Sequence, residues 1–212
     1  MSKIKLPHAS GNSMSIGAPA TNPASDLELK LPATIGSANQ VVANSSVAGT
    51  LAFATLPLNE VDQWVLTADK TSNGDITSDL ARASYQAGAG KIGTGMTESS
   101  GVFSFPSTGI WLVNVTATFS IENSDNVNIT TYTTTNNGSN WHNPIYCHDG
   151  NNGTGAKVGM GCSFGLLDVT DTSQVKVKFN VGSIAGGSVV SGGSATNGPI
   201  NTQFLFVRLG DT

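Results

Sequence analysis

The sequence predicts an all-β protein, an antiparallel sandwich or jelly roll that follows an extended N-terminal β-arm. Short segments alternate between apolar and polar residues, turn-forming dipeptides separate them, and no helical period lies between them. Charged residues make up only 11% of the chain, against about 25% in a typical soluble domain. The chain instead has 25 glycines and is rich in serine, threonine and asparagine, which favour turns and strands over helix interiors.

The clearest strand runs from Ile110 to Ile121. Its odd positions are all apolar, and its even positions from Asn114 onward are polar. Such a period of two is typical of a strand with one buried face. Residues 174–181 show the same alternation, while residues 127–135 are rich in threonine and predict a more exposed strand. The composition of residues 183–198 predicts a flexible loop.

The chain divides into an arm, residues 1–58, and a head domain, residues 59–212. Five of the eight prolines lie in the first 57 residues, and proline removes a hydrogen-bond donor from a sheet. This segment is either a disordered arm or an arm that completes its sheets on other chains. The alternation of Leu27, Leu29 and Leu31 favours the second, and these leucines are the candidate anchor.

The closing strand predicts self-association. Phe204 and Phe206 lie on one face of this strand, and Leu205, Val207 and Leu209 lie on the other. An apolar strand of this kind is typical of a central strand that is covered on both faces. We predict that Phe204 and Phe206 form the subunit interface of an oligomer. The alternative is that an N-terminal segment of the same chain covers the second face.

Composition excludes several classes of function. The net charge is −4 and the basic residues are scattered, which argues against nucleic-acid binding. No apolar run is long enough to insert into a membrane, and the N-terminus lacks the apolar core of a secretory signal. Cys147 and Cys162 are therefore expected to be free thiols, with a disulfide as the alternative.

No pattern predicts catalysis, a cofactor or a metal. Residues 88–93 match GxGxxG, but a dinucleotide site needs a following helix, so a loop is expected. No GxSxG elbow occurs, and no pair of carboxylates stands out as an acid and a base. A metal cluster is not expected, because adjacent residues of a strand point to opposite faces; the residues considered for it are His142, Cys147, His148 and Asp149.

The loop of residues 136–144 is the candidate ligand loop. Its central residues are Asn140, Trp141 and His142. An aromatic face can pack on an apolar ligand surface while amides bind hydroxyls, so the loop suits contact with a sugar or a protein. The alternative is that Trp141 folds back into the core.

Three segments resemble a known jelly roll. Phe103, Pro106, Gly109 and Trp111 lead into the long strand, and this run resembles the signature shared by complement-type globular heads and tumour necrosis factor. Residues 164–179 resemble a later strand, turn and strand of the same fold, and residues 201–212 resemble its closing strand. The resemblance implies a ten-stranded jelly roll that assembles as a homotrimer.

Residues 62–84, 92–112 and 208–212 are most similar to a variant of this fold in tailed phages, especially marine ones, and the first forty residues resemble arms of phage fibre and virion surface proteins. The resemblance implies a non-enzymatic virion protein, a tail fibre or receptor-binding head, assembled in the host cytoplasm. Its partners would be other virion proteins, bound through the arm, and host surface glycan. The alternatives are a capsid decoration protein that clamps capsid subunits and a free, lectin-like carbohydrate-binding module.

Overall fold

The computed structural model describes residues 3–7, 11, 13–17, 28–37, 40–47, 49–55, 58–85 and 88–212. Contacts divide the chain into two units, Met1–Leu56 and Pro57–Thr212. The predicted boundary between arm and head lies beside this division. Throughout the described residues the secondary structure consists of β-strands and turns, with no helix, which confirms the all-β prediction.

The first unit contains two antiparallel hairpins. One pairs β1 (Lys3–Pro7) with β2 (Ser13–Gly17). The other pairs β3 (Gln40–Asn44) with β4 (Leu51–Thr55). A parallel bridge joins Lys30 to Thr50. Two-stranded hairpins are marginally stable alone in water because they bury little surface.

The second unit is a sandwich of two antiparallel sheets with a small hairpin. Its strands are β5 (Val61–Leu66), β6 (Gly74–Asp75), β7 (Leu80–Arg82), β8 (Ser84–Tyr85), β9 (Gly88–Ala89), β10 (Lys91–Ile92), β11 (Thr97–Ser99), β12 (Val102–Ser104), β13 (Gly109–Ile121), β14 (Asp125–Thr134), β15 (His142–Asn151), β16 (Lys157–Val169), β17 (Lys176–Gly182), β18 (Val189–Val190) and β19 (Gln203–Gly210).

Five strands form the main path of each sheet within the described residues. The first sheet has the order β10-β5-β19-β13-β16, and the second has the order β11-β12-β17-β14-β15. Strands β7 and β18 pair beside the first path, and β6 pairs beside the second. Strands β15 and β16 are consecutive in the chain and lie at the ends of the two paths, so they flank one edge of the sandwich.

Strand β13 follows its predicted alternation. Its odd positions are buried from Trp111 to Ile121, and its even positions are partly exposed. Gly109 begins the strand with φ of 134°, and a Cβ there would press on the backbone of Gly210. Glycine therefore suits the position where the chain enters the strand.

The core is a layer of aromatic rings between the two sheets. Phe179 stacks on Phe204 with a centroid distance of 4.1 Å, and Phe103 lies 5.1 Å from Phe206. Trp64 meets Phe103 edge to face at 5.3 Å. Offset and edge-to-face pairs of this kind add about 0.5–1.5 kcal/mol each beyond their burial.

The prediction that Phe204 and Phe206 form a subunit interface is wrong. Both side chains are fully buried, at 0% exposure, between the sheets of a single chain. Strand β19 is central, as predicted, because it lies between β5 and β13. Its phenylalanines face the second sheet, so the residues that can meet another subunit from this strand are on its other face.

Three local predictions also need correction. Residues 183–198 are not a featureless loop, because they contain β18 and the fully buried Val190. Strand β14 is not mainly exposed, because Val127 and Ile129 are buried in the core. Residues 88–93 form the short strands β9 and β10 rather than a loop, with no helix after them for a dinucleotide.

A buried carboxylate holds several segments of the head together. Asp62 is 0% exposed and accepts two hydrogen bonds from Arg82, at 2.7 and 2.9 Å. It also accepts hydrogen bonds from Trp64 Nε1 at 2.8 Å and from the backbone N of Met96 at 2.7 Å. Arg82 in turn donates to the backbone O of Met96 at 2.7 Å. The network joins β5, β7 and the segment before β11.

We predict that Asp62→Asn lowers the free energy of unfolding by about 2–4 kcal/mol. Removing one partner of a fully buried pair typically costs about 3–5 kcal/mol, and here 31% of the Arg82 side chain is exposed. Urea unfolding at neutral pH measures the loss. The control is Asp168→Asn, which removes an exposed carboxylate and should change stability by less than about 0.5 kcal/mol. Equal losses of unfolding free energy in the two variants would contradict the stabilising role of the Asp62 network.

Candidate functional site

Strand β16 presents an apolar stripe to the outside of the first sheet. Its outward positions carry large side chains with high exposed fractions: Val158 76%, Met160 70%, Phe164 69% and Leu166 63%. Single exposed apolar residues are common on protein surfaces, but a contiguous row of them marks an interaction surface. We call these four residues, together with Cys162 between them, the β16 stripe.

Three of the inward positions of β16 are glycines. Gly159, Gly161 and Gly165 face the second sheet across the edge of the sandwich. A Cβ at Gly161 would lie 2.8 Å from the Phe119 ring, and a Cβ at Gly165 would clash with Ile145. From Gly159 to Gly165 the strand therefore packs its backbone closely on the core, and its large apolar side chains point away from it, whereas Leu167 and Val169 at its end face the core.

The stripe continues across the first sheet. Leu166 lies opposite Leu112 of β13, which lies opposite Val207 of β19, and Val207 lies opposite Val61 of β5. All three of these partners are partly exposed. The outer face thus carries an apolar row that crosses four strands.

The chain covers another part of the same face itself. Val65, Ala83 and Ala195 form a small buried cluster, with Ile200 packed against it. Ala195 and Ile200 belong to the segment before β19, and the backbone of Ser84 donates to Ala195 O at 2.7 Å. The part of the face around Val65 is therefore sheltered, while the part around β16 is open.

The two cysteines are free and lie in different environments. Cys147 is buried and Cys162 is exposed. Burial raises the pKa of the Cys147 thiol above its usual value of 9.0, so this thiol is protected from alkylating reagents. Cys162 accepts a weak hydrogen bond from Asn114 at 3.4 Å and opens onto the β16 stripe.

The candidate ligand loop lies at the start of β15. Asn140 and His142 are exposed, and Trp141 is partly buried. Trp141 is absent from the core, so it does not fold back as the alternative held. Its ring instead lies over the ammonium of Lys178, with 4.6 Å between Nζ and the ring centroid.

The outer face of the second sheet also carries an aromatic pair that was not predicted from the sequence. Tyr146 and His148 both project outward from β15, and their rings stack with a centroid distance of 5.5 Å and an interplanar angle of 18°. Tyr146 is 61% exposed. The available signal was their spacing of two residues, with the buried Cys147 between them.

A polar network lies on the same sheet, two strands away from this pair. Asp75 accepts hydrogen bonds from Lys178 Nζ and from Asn180 Nδ2, both at 2.7 Å. Burial alone would raise the pKa of the Asp75 carboxyl, but the hydrogen bonds from Lys178 and Asn180 outweigh it and hold the pKa below its usual 3.8. The carboxylate thus stays charged and balances Lys178.

The candidate anchor is partly described. Leu29 and Leu31 are 61% and 77% exposed, and Leu27 lies outside the described residues. Ile35, Val41, Val42 and Val47 of the same unit are also exposed. The described part of the first unit therefore offers many apolar side chains without covering them.

Among the described residues, no three His, Cys, Asp or Glu side chains are grouped as metal ligands would be. Cys147 faces the core while His148 faces outward, as the alternation of β15 requires. Within the same part of the chain, no helix is long and apolar enough to cross a membrane.

Comparison with solved structures shows the fold. Murine APRIL at pH 5.0 is similar with a TM-score of 0.52 and 13% identity, over 71% of this chain and 98% of that one. Eiger TNF from S. frugiperda is similar with a TM-score of 0.50 and 16% identity, over 74% of this chain and 96% of that one. The head therefore has a TNF-like jelly-roll fold, and identities this low show the fold alone.

No protein-family model matches the chain, and no curated protein matches its sequence.

We predict that Asp75→Asn removes part of the acid sensitivity of the head. The folded pKa of Asp75 is below the unfolded value of 3.8. Its contribution is therefore complete above that value and lost as pH falls through the folded pKa. At neutral pH the free energy of unfolding of wild type should exceed that of the variant by on the order of 1 kcal/mol, a small value because the pair is partly exposed. This difference in stability should shrink as the pH falls toward about 3.

Urea unfolding at both pH values measures this difference. Asp168→Asn is again the control and should leave the difference between the two pH values as in wild type. If the difference in unfolding free energy between wild type and Asp75→Asn stays constant with pH, Asp75 does not contribute to the acid sensitivity of the head.

Proposed function

We propose that the protein is a non-enzymatic structural protein of a phage particle. Its head assembles as a homotrimer, as a tail fibre or receptor-binding head, and its arm attaches the trimer to the particle. The observation that carries self-association is the β16 stripe, a row of large apolar side chains on a strand whose inner side carries Gly159, Gly161 and Gly165 along most of the same stretch.

The arrangement of β16 supports an external partner. A strand that served only the core of its own chain would direct its large side chains inward. Here Phe164 and Leu166 contribute nothing to the core, and glycines occupy the neighbouring inward positions 161 and 165. Self-association would give these side chains a dry environment.

The free energy gained by burying the stripe is comparable to the cost of association. Burying one large apolar side chain fully contributes about 1.5–3 kcal/mol, so the four side chains of the stripe contribute about 6–12 kcal/mol at most. Association costs about 4–15 kcal/mol in lost motional freedom. The apolar row through Leu112 and Val207 adds to the favourable side, which makes a stable assembly reasonable at micromolar concentration.

The proposed number of three subunits rests on a sequence resemblance to complement-type heads and tumour necrosis factor, which is found in residues 101–119, 164–179 and 201–212. In a cyclic trimer, the stripe of each subunit would meet a different surface on the next subunit. Surfaces of this kind join head to tail and close into a ring.

The proposed role of the arm rests on the first unit. Its two hairpins have only two strands each, and Leu29, Leu31 and Ile35 are exposed. Free strand edges and exposed apolar side chains suit addition to the sheets of another protein. The assignment of that protein to a phage particle rests on the sequence resemblance.

Capsid decoration is the second candidate role. The exposed apolar residues of the arm would then clamp neighbouring capsid subunits, whereas a fibre would bind the tail. Imaging of purified virions with labelled protein would distinguish the two by position. Absence of the protein from the virions would contradict both roles.

We predict that Phe164→Ser converts the assembly into monomers at micromolar concentration. The change removes about 1.5–3 kcal/mol of apolar burial from each subunit contact. In native mass spectrometry, wild type should have three times the 21.7 kDa mass of the chain, and the variant should have the mass of one chain. Phe164→Leu keeps an apolar side chain and should stay trimeric. A monomeric wild type would contradict the proposal.

Alkylation of the two cysteines gives an independent measurement. Cys162 lies within the stripe, so a maleimide should label it slowly in wild type and rapidly in Phe164→Ser. Cys147 is buried and lies away from the stripe, so it serves as the internal control. Rapid labelling of Cys162 in an intact trimer would place the interface elsewhere.

We predict that removal of residues 1–50 leaves a folded trimer that no longer joins virions. The reason is that the sandwich lies wholly in the second unit. Virions from infections with full-length or truncated protein would be purified and probed for it. Full incorporation of the truncated protein would contradict the anchor role, and loss of the trimer would show that the arm also supports assembly.

A further inference from the structure

The outer face of the second sheet carries an aromatic and polar surface that the proposed assembly does not use. Alternate residues of its strands point outward: Tyr146 and His148 from β15, Asn128, Thr130 and Tyr132 from β14, and Lys178 and Asn180 from β17. We call this set the outer platform. It is on the opposite side of the sandwich from the outer face of the first sheet.

The exposed ring of Tyr146 is its most accessible apolar feature. Tyr146 is 61% exposed and stacks on His148, which limits the motion of both rings. A ring that is already ordered loses less conformational entropy when a ligand packs on it. The pair thus provides a prepared flat surface.

Hydroxyl and amide groups lie directly beside this surface. Thr130 is the cross-strand neighbour of Tyr146, and Asn128 is the neighbour of His148. Asn128 Nδ2 donates to Ser183 Oγ at 3.0 Å, which orients the amide. On the other side of β14, Thr130 lies opposite Asn180 of β17.

The charges of the platform are balanced within it. Lys178 Nζ is 2.7 Å from Asp75 Oδ2 and also lies 4.6 Å from the ring centroid of Trp141 and 5.7 Å from that of Tyr132. An ammonium that is paired and covered in this way offers little to a phosphate or a sulfate. The surface therefore favours an uncharged ligand.

We propose that the outer platform binds a neutral oligosaccharide. The apolar face of one sugar ring would pack on Tyr146, and its hydroxyls would exchange hydrogen bonds with Asn128, Thr130 and His148. Aromatic rings with convergent amides and hydroxyls match the two kinds of surface that a sugar presents. The inference deepens the receptor-binding version of the proposed function and rests on it for its biological meaning.

This location differs from the candidate ligand loop. Trp141 of that loop already contacts the Lys178 ammonium, and a Cβ at Gly138 would lie 3.6 Å from its ring. Its ring is thus engaged by its own chain, whereas much of the Tyr146 ring is open to solvent. Variants of Tyr146 and of His142 therefore separate a platform site from a loop site.

The test uses the full-length protein on an array of neutral and charged bacterial surface oligosaccharides, followed by titration of the glycans that bind. At least one neutral oligosaccharide should bind to wild type. Tyr146→Ala should weaken that binding by about tenfold or more, the loss typical of a central aromatic contact. Tyr146→Phe keeps the ring and should bind within about threefold of wild type, and His142→Ala should bind as wild type does.

Four results would overturn the inference: no glycan bound, only charged glycans bound, loss of binding in His142→Ala with retention in Tyr146→Ala, or dissociation of the assembly by Tyr146→Ala. The last would make Tyr146 a subunit contact, and native mass spectrometry of every variant detects it. Tyr146-dependent binding by a monomeric wild type would support the platform and contradict the trimer, so the two proposals fail separately.

Discussion

The head depends on the packing of aromatic rings between its two sheets. Phe103, Phe179, Phe204 and Phe206 come from three strands and form one connected set of ring contacts. Each sheet supplies one half of the set, so neither sheet has a dry inner face without the other. Because the phenylalanines of β12, β17 and β19 are buried in this layer, contact with any other molecule must use the outer faces of the two sheets.

Much of the fold could be predicted from the sequence because alternation along a strand is a local signal. Strand β13 shows it over twelve residues, and its bounds and buried side agree closely with the prediction. The signal says which residues share a face, but it does not say which face is inside when both are apolar. That is why Phe204 and Phe206 were assigned to the wrong environment: their partners, such as Phe179, are distant in sequence.

The surfaces with functional potential were harder to predict, for the same physical reason. The composition of β16 resembles that of a core strand, and its exposure follows only from the close approach of Ile145 and Phe119 to its glycines. The position of Trp141 over Lys178 depends on a pairing between β14 and β17 that the sequence does not display. The stacking of Tyr146 on His148 has no local signal in the sequence beyond their spacing of two residues along β15.

The glycine side of β16 also determines the alignment of that strand. Sliding β16 by one position along β13 would turn Met160 and Phe164 inward, into spaces where only a hydrogen atom fits beside Phe119 and Ile145. A shift of one residue exchanges the faces of a strand, and sterics forbid that exchange here. The glycine positions thus fix the register of β16 and hold Met160 and Phe164 on the outer face, whether or not another molecule covers them.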